Sequence, residues 1–469
     1  MTCVHLEGRV NFGVKPKHQV VTLFAGLQWL SFMFANTVVI PLSIGAAYHL
    51  SPEQISGTMS RSFILTGLAC LIQVLLGHGL PLMEGQSGFW WSVMLGLATM
   101  GMASGMPLAE VGGSLAVGMI VGGALISVLG MFGLHKILNR LFTPIVMAVL
   151  LILLAAQLID IFMQGMLGIT EDGKVQPGIA GLSLVIALLV GVLTITGRGL
   201  ISNFSILIGL ALGWIVFVLL FGNPAHHVVP GWREVSQTFV LGKPSWNIGI
   251  VIAAVLTALI NTTNTIATLR AAEPLFNVKV KANQYRRSFV WTGIYTVLSG
   301  LFSVAAYAPY TSSIGFLRTT RLLNKAPFIV GSALFVILGL VPSLAGFFST
   351  LPMSVGDSVL FIAYLQLFGS ALHNIEGTRF NFKTIFRIAL PTLTGLAIQT
   401  MPSQAFSTLP GFVRAILGNG MLVGIMLAVI LENTVRWSRF EEDSQKDSHE
   451  GEGAHMQTQA PSQPQSQLE

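Results

Sequence analysis

The sequence predicts an all-α polytopic membrane protein of fourteen transmembrane segments, arranged as two inverted seven-segment repeats with segments three and ten broken. Three observations carry that prediction. Only 9% of the 469 residues are charged and 53% are hydrophobic, with a mean hydropathy of +0.73, whereas soluble domains carry about 25% charged residues. The apolar runs are near the twenty-residue length that a helix needs to cross a hydrocarbon core of about 30 Å. The short alternating segments that build transmembrane barrels do not appear. Finally, the basic residues collect on one side of the membrane only if the chain crosses it fourteen times.

The polar stretch 1–19 lacks a short apolar run with a cleavage site, so it reads as a cytoplasmic segment and not as a signal peptide. Spans follow at about 20–44, 55–78, 108–133, 143–163, 179–197 and 204–221. After an extracytoplasmic loop over 222–247 come spans at about 248–270, 288–307, 326–348, 352–371, 383–401 and 410–432. Two further segments, near 81–100 and 308–323, are apolar but interrupted by Gly, Pro and polar residues. If both cross, all but Arg61, Lys174, Arg233, Lys243 and Arg414 of the 25 Lys and Arg residues lie on the cytoplasmic side. If neither crosses, Lys136, Arg140 and the Arg270–Arg287 cluster move outside, against the positive-inside rule. The repeats then occupy 20–221 and 248–435, and both termini are cytoplasmic. The tail 436–469, which includes Arg436 and Arg439, has no apolar face to bury and reads as a disordered, solubilising segment. The net charge of +6 belongs to cytoplasmic loops and points to no nucleic acid.

The repeat rests on matched positions. Gln86–Phe89 ("QSGF") and Ser312–Phe316 ("SSIGF") occupy the third segment of each half. Thr143-Pro144-Ile145 opens span five with Gln157 thirteen residues on, and Leu351-Pro352-Met353 opens span twelve with Gln366 fourteen residues on. Seven is odd, so the halves run in opposite directions through the bilayer. Such repeats imply a ligand site near the midplane and alternating access to it.

Irregular backbone at membrane depth survives only inside protein or beside a cavity. In each break an extended stretch (Pro81–Glu84, Ala308–Tyr310) leads into a half-helix starting near Ser87 or Ser313. The first N–H groups of a helix lack intrahelical partners and carry its positive end, so they can hold a small polar ligand. Gly85, Gly88 and Gly315 let that ligand approach the backbone. In span eight, Asn261, Asn264, Thr265 and Thr268 recur at i, i+3, i+4 and i+7 and share one helix face. Hydrogen bonding between helices accounts for the threonines; two asparagines a turn apart favour ligand contact. Asn36 stands alone in span one, with ligand contact and structural hydrogen bonding both open.

Cys3 and Cys70 give neither a disulfide framework nor metal spacing, and Cys70 reads as a small apolar residue. No metal ion or other cofactor is expected. No H-E-x-x-H, G-x-S-x-G or Walker A pattern is present, which argues against an enzyme and against ATP as the energy source.

At these motifs the chain resembles the nucleobase–ascorbate transporter family, the nucleobase:cation symporter-2 permeases. "MFANTVVIP" at 33–41 is similar to its span-one signature, "APYTSSIGFLRTTR" at 308–321 to its span-ten segment, and "GLVPSLAGFFSTLPMSVGDSVLF" at 339–361 to the following helix pair. The "MEGQSGFWW" and "NTTNT" variants look closest to the uracil/xanthine permease-like branch. The resemblance covers nearly all of 18–436. It implies a core domain (spans one to four and eight to eleven), a gate domain (five to seven and twelve to fourteen) and often a homodimer. It also implies uptake of uracil, xanthine or another purine across the plasma (inner) membrane, usually with a proton.

The departures sharpen the expectations. The family's span-eight glutamate aligns with Asn261, an acidic or histidine position with Thr265, and the second span-ten Glu or Gln with Ser312, preceded by the aromatic Tyr310. Asparagine offers donors and an acceptor to a base edge but takes up no proton, and all ten histidines lie in loops, tails or span ends. Glu84 is therefore the candidate for proton coupling, the alternative being a carboxylate that organises the break, with Asp357 next in line. Asn261 is expected to read the base, supported by Asn264 or Thr265. The N–H groups around Ser87, Gly88 and Phe89 and around Ser312 and Ser313 are expected to meet it from other sides, and Phe89 or Tyr310 to stack on it. The alternatives are an uncoupled nucleobase facilitator and an anion transporter of the same fold, the latter calling for a basic residue near the site, for which Arg318 is the nearest candidate.

Overall fold

The computed structural model describes residues 16–437 apart from 134–137, 139, 170–172, 198–199, 223–227, 407 and 436. Cys3, Lys136, Arg436, Arg439, the tail, most of the amino-terminal segment and part of the 222–247 loop lie outside the described residues.

The first half runs α1 (Pro16–Ala35), α2 (Val39–Ala47), α3 (Pro52–Leu75), β1 (Glu84–Gln86), α4 (Gly88–Ala103), α5 (Leu108–Met131), α6 (Pro144–Leu167), α7 (Pro177–Thr196) and α8 (Ser205–Phe221). The second runs α9 (Ile248–Phe276), α10 (Ala282–Phe302), β2 (Tyr307–Pro309), α11 (Ser312–Thr320), α12 (Lys325–Leu340), α13 (Pro342–Phe348), α14 (Met353–Asn374), α15 (Phe382–Thr400), α16 (Gly411–Leu417) and α17 (Gly420–Thr434). Among the described residues, seven helical stretches are long and apolar enough to cross a membrane singly, and α12 with α13 makes an eighth, bent by 90°. The shorter apolar helices α4, α8 and α17 add 16, 17 and 15 residues.

Local chemistry sets many of the helix starts. Ser51 and Gln54 close a capping box on α3, Thr143 caps α6 ahead of Pro144, and Asn247, Asn381 and Asn419 cap α9, α15 and α17. Several boundaries differ from the expected spans, α9 running on to Phe276 and α10 starting at Ala282. The first span breaks over Asn36–Val38, and span eleven turns at Val341, where Pro342 starts a new helix. Span nine ends at Phe302, not near 307, because Ser303 adopts a left-handed cap (φ 55°) whose N–H bonds Ser299 O. The last span divides at Gly418–Asn419.

The inverted repeat is visible in the packing. Exchanging each span for the one seven places away turns the contact of α1 with α12 into that of α9 with α5. It likewise turns α3 against α12 into α10 against α5, and α6 against α17 into α14 against α8. The pairs α6 with α14 and β1 with β2 map onto themselves. Glycines permit the tightest of these contacts. A Cβ on Gly123 of α5 would sit 2.6 Å from Gly293 O of α10, and one on Gly293 would sit 2.5 Å from Gly123 O. In the counterpart contact of the other half, α3 against α12, a Cβ on Gly67 would lie 2.7 Å from Ser332 O and one on Gly339 2.7 Å from Ser60 O. Small residues at helix crossings let backbones approach where lipid removes the hydrophobic drive to associate.

Gly123→Ala is expected to lower thermal stability in detergent by about 1–3 kcal/mol through overpacking. Gly181→Ala, with nothing within 4 Å, serves as the control and is expected to leave stability unchanged or slightly raised. Equal unfolding midpoints for the two variants would contradict the close-contact account.

Candidate functional site

β1 and β2 form a two-stranded antiparallel ribbon with Glu84 opposite Pro309, Gly85 opposite Ala308 and Gln86 opposite Tyr307. Flanking bonds from Tyr310 N to Met83 O (2.8 Å) and from Ser87 N to Ala306 O (2.8 Å) extend it. The alternation puts the nitrogen of Pro309 on the outer edge, where no ladder bond is lost.

A strand edge inside a membrane protein needs partners, and helices supply them on both sides. Along β2, Asn261 Nδ2 donates to Tyr307 O (2.9 Å) and Thr268 Oγ1 to Pro309 O (3.1 Å); Thr268 also bonds Thr311 Oγ1 (2.8 Å). Asn264 Nδ2 donates to Asn261 Oδ1 (3.1 Å) and so fixes that amide. Asn261 keeps one N–H and one acceptor lone pair beyond these bonds. Thr265 is buried between them, and its Oγ1 has no partner among the described residues. Along β1, Glu84 N donates to Cys70 Sγ (3.2 Å) and Cys70 Sγ to Glu84 O (3.4 Å). Cys70, expected as an apolar filler, thus uses its thiol to cover the edge of the ribbon.

Strand alternation sends the side chains of Glu84 and Gln86 to one face, toward α3 and α10. Glu84 Oε1 accepts from Gln73 Nε2 (3.3 Å) and Thr292 Oγ1 (3.2 Å), while its Oε2 is buried without a partner among the described residues. Both donors are side chains, one on α3 and one on α10. No cation lies within salt-bridge reach: the ion pairs among the described residues are His373–Glu376 and Arg387–Glu432. Gln86 Nε2 donates to Ser62 Oγ (3.0 Å). Gln73, Thr292 and Ser62 were not singled out from the sequence. Gln73 was findable as an amide in an apolar span; the two hydroxyls carry no signal that separates them from ordinary helix-packing residues.

The opposite face carries Gly85 and Tyr310. The Tyr310 hydroxyl donates to Gln86 O and, at 3.5 Å, lies near Asn36 O. Tyr364 of α14 packs in the same cluster. Tyr364 closes over the start of α4, 3.4 Å from where a Cβ on Gly88 would stand, and its ring packs edge-on against Phe162 and Trp91. A second link joins α4 to α6, where Gln157 Nε2 donates to Ser92 O (3.3 Å).

The remaining candidates divide by exposure. Asn36, Gly88, Asn264, Tyr310, Thr311 and Ser312 are half-buried around the ribbon, while Asn261, Ser87, Phe89 and Ser313 are buried. Ser87 Oγ caps Phe89 N (3.2 Å), Ser313 Oγ accepts from Met83 N (3.1 Å), and Asn36 Nδ2 is spent on Phe32 O (2.8 Å). Asp357 lies elsewhere, buried in α14 against Gly165 of α6, with Oδ1 unpartnered among the described residues. Arg318 is exposed near the end of α11.

Known proteins resemble the chain along most of its length. The Permease family of xanthine and uracil permeases has a model that matches residues 20–404. YwdJ of Bacillus subtilis (strain 168), whose name assigns it provisionally as a purine permease, is 27% identical over 433 residues, covering 90% of this chain and 98% of that protein. The xanthine permease of the same organism is 25% identical over 427 residues, covering 87% and 92%. Among solved structures, the transmembrane domain of a cyanobacterial bicarbonate transporter, BicA, superposes with a TM-score of 0.58 over 89% of this chain and 98% of that one, at 15% identity. That likeness concerns the fold alone. With the family matched across most of its length, the chain belongs to the nucleobase–ascorbate transporter family, as a multi-pass membrane permease and not an enzyme.

Proposed function

We propose that this protein is a secondary active permease for a purine or uracil/xanthine-type nucleobase, working by alternating access, with a proton as the coupled ion. The observation that carries the reading is the ribbon of Glu84–Gln86 and Tyr307–Pro309, set among half-buried polar groups. Relatives named as purine, xanthine and uric acid permeases support the substrate class. Fourteen crossings with both termini in the cytoplasm, in the plasma membrane and as a homodimer, complete the proposal. The core domain comprises spans one to four and eight to eleven, and the gate domain the rest.

In this reading the base lies beside the ribbon. The spare donor and acceptor of Asn261, held in orientation by Asn264, pair with its edge. The N–H groups at the starts of α4 and α11 meet its polar atoms, and the half-buried ring of Tyr310 stacks on it, in preference to Phe89, which is enclosed. Tyr364 belongs to the gate side, closes over the Gly88 turn and packs in the same cluster as Tyr310. Its contact is made in the closed arrangement and broken when the gate moves away. Glu84 carries the proton: one of its oxygens is held by Gln73 and Thr292, and the other is free to take a proton without losing a hydrogen bond. No observation favours the anion-carrier reading, since Arg318 points out at a helix end.

The test is uptake of radiolabelled xanthine, uric acid, guanine and uracil in cells lacking their own permeases, with and without a protonophore. Accumulation of one base, abolished by the protonophore, is the expected result; equilibration that ignores the protonophore identifies a facilitator instead. Asn261→Leu is expected to lower apparent affinity at least tenfold. Thr268→Val, which removes a bond from the same strand edge, is expected to change affinity less than threefold. Equal losses in both would reduce Asn261 to a ribbon cap. Glu84→Gln keeps the hydrogen-bond geometry and is expected to abolish pH-driven accumulation while retaining counterflow exchange; accumulation at the wild-type level would remove Glu84 from the coupling step.

A further inference from the structure

Away from the ribbon, the Met131 end of α5 and the Ala282 end of α10 enclose an open groove of about 360 Å³, lined by Met131, Asn283, Arg286, Arg287, Val290 and Trp291. Arg286, Arg287, Asn283 and Met131 are exposed, and neither arginine has a carboxylate within 4.0 Å among the described residues. Unpaired arginines on an outer surface are ordinary. Here they share one recess with an aromatic ring and apolar side chains, and Phe132, at the rim of α5, is 79% exposed.

Depth gives the recess its meaning. At 1.5 Å per residue, Arg286 and Arg287 lie roughly 6–8 Å along α10 from its first residue and Trp291 about 13 Å. The headgroup layer adds roughly 5–7 Å to each side of the hydrocarbon core. With the first residue of α10 at the outer limit of that layer, the guanidinium groups fall at the level of lipid phosphates and the indole near the acyl boundary, where tryptophan concentrates. Met131, Val290 and Phe132 lie beside them as apolar surface for acyl chains. The start of α10 adds its positive end to the two cations. Basic recesses between membrane helices on the cytoplasmic face hold anionic headgroups in this manner.

We infer that this groove binds the phosphate headgroup of an anionic phospholipid, with Arg286 and Arg287 on the phosphate, Asn283 on its ester oxygens or glycerol, and Trp291 against the upper acyl chain. Guanidinium groups suit the task because their forked donors match phosphate oxygens two at a time.

The experiment uses the full chain in a neutral detergent and native mass spectrometry, with phosphatidylglycerol and phosphatidylcholine of matched acyl chains. The wild type is expected to retain phosphatidylglycerol in preference to phosphatidylcholine, and Arg286→Gln/Arg287→Gln to lose that preference by on the order of tenfold. Equal retention of the two lipids by the wild type, or unchanged preference in the variant, would overturn the assignment. So would displacement of phosphatidylglycerol by millimolar inorganic phosphate, which would make the site one for a soluble anion. A second measurement needs no variant: photolabelling of the wild type with a diazirine-bearing phosphatidylglycerol is expected to mark peptides within 283–291 or the Met131 end of α5, and labelling confined to other segments refutes the site. None of these readouts depends on which base is transported.

Discussion

A peptide group in hydrocarbon has no water to bond, and two stretches of this chain leave the helix where the surrounding sequence is apolar. Much of the centre of the structure follows from that constraint. The ribbon pairs the inner edges of 84–86 and 307–309 with each other. Its outer edges are closed by Cys70 from one half and by Asn261 and Thr268 from the other. Each strand is thus sealed by a helix of its own half while pairing with the strand of the other half. The polar row on α9 is the membrane's substitute for a further strand.

The same constraint sets the terms for the carboxylates. Glu432 is held bidentately by Arg387 at 2.6 and 2.8 Å and also accepts from Thr143 (3.1 Å), which ties α6, α15 and α17 together. Glu84 has only neutral donors. An unpaired buried charge is costly and a paired one is not strongly stabilising, so the two residues differ in purpose. One clasps three helices; the other is left with an unpartnered oxygen beside the breaks. Arg61, also buried, bonds only neutral acceptors: Phe302 O (3.0 Å), Thr58 Oγ1 (2.7 Å) and Glu234 O. It fastens the end of α10 and the short helix Trp232–Ser236 to α3.

Much of this was legible in the residues. Hydropathy located the spans, and Gly, Pro and polar interruptions located both breaks to within a few residues. The matched order of "QSGF" and "SSIGF" announced the repeat that the packing displays. The i, i+3, i+4, i+7 row on α9 was also plain, but not its partner, because a helix face states which residues align and not what they meet. The end of α10 was missed because "VAAYAP" is as apolar as the helix before it, and only the left-handed Ser303 separates them. Tyr364 was missed for a related reason: an aromatic residue in an apolar helix such as α14 looks like packing until tertiary structure sets it against Gly88. Glu84 was identified as a type of residue, yet its donors lie on α3 and α10, and the one on α10 is more than two hundred positions downstream.

The ribbon also bears on how the molecule is made. Tyr310 and Gln86, joined across it, are 224 positions apart, so ribosome and membrane meet the first strand long before its partner exists. Until β2 arrives, β1 has an open edge, and the first half of the chain cannot complete its centre by itself. Insertion must therefore either delay burial of 84–86 or shelter it with water or a helper protein. The second half gains in turn a template that is already in place. The centre of the fold is therefore completed only after the second half of the chain has been made.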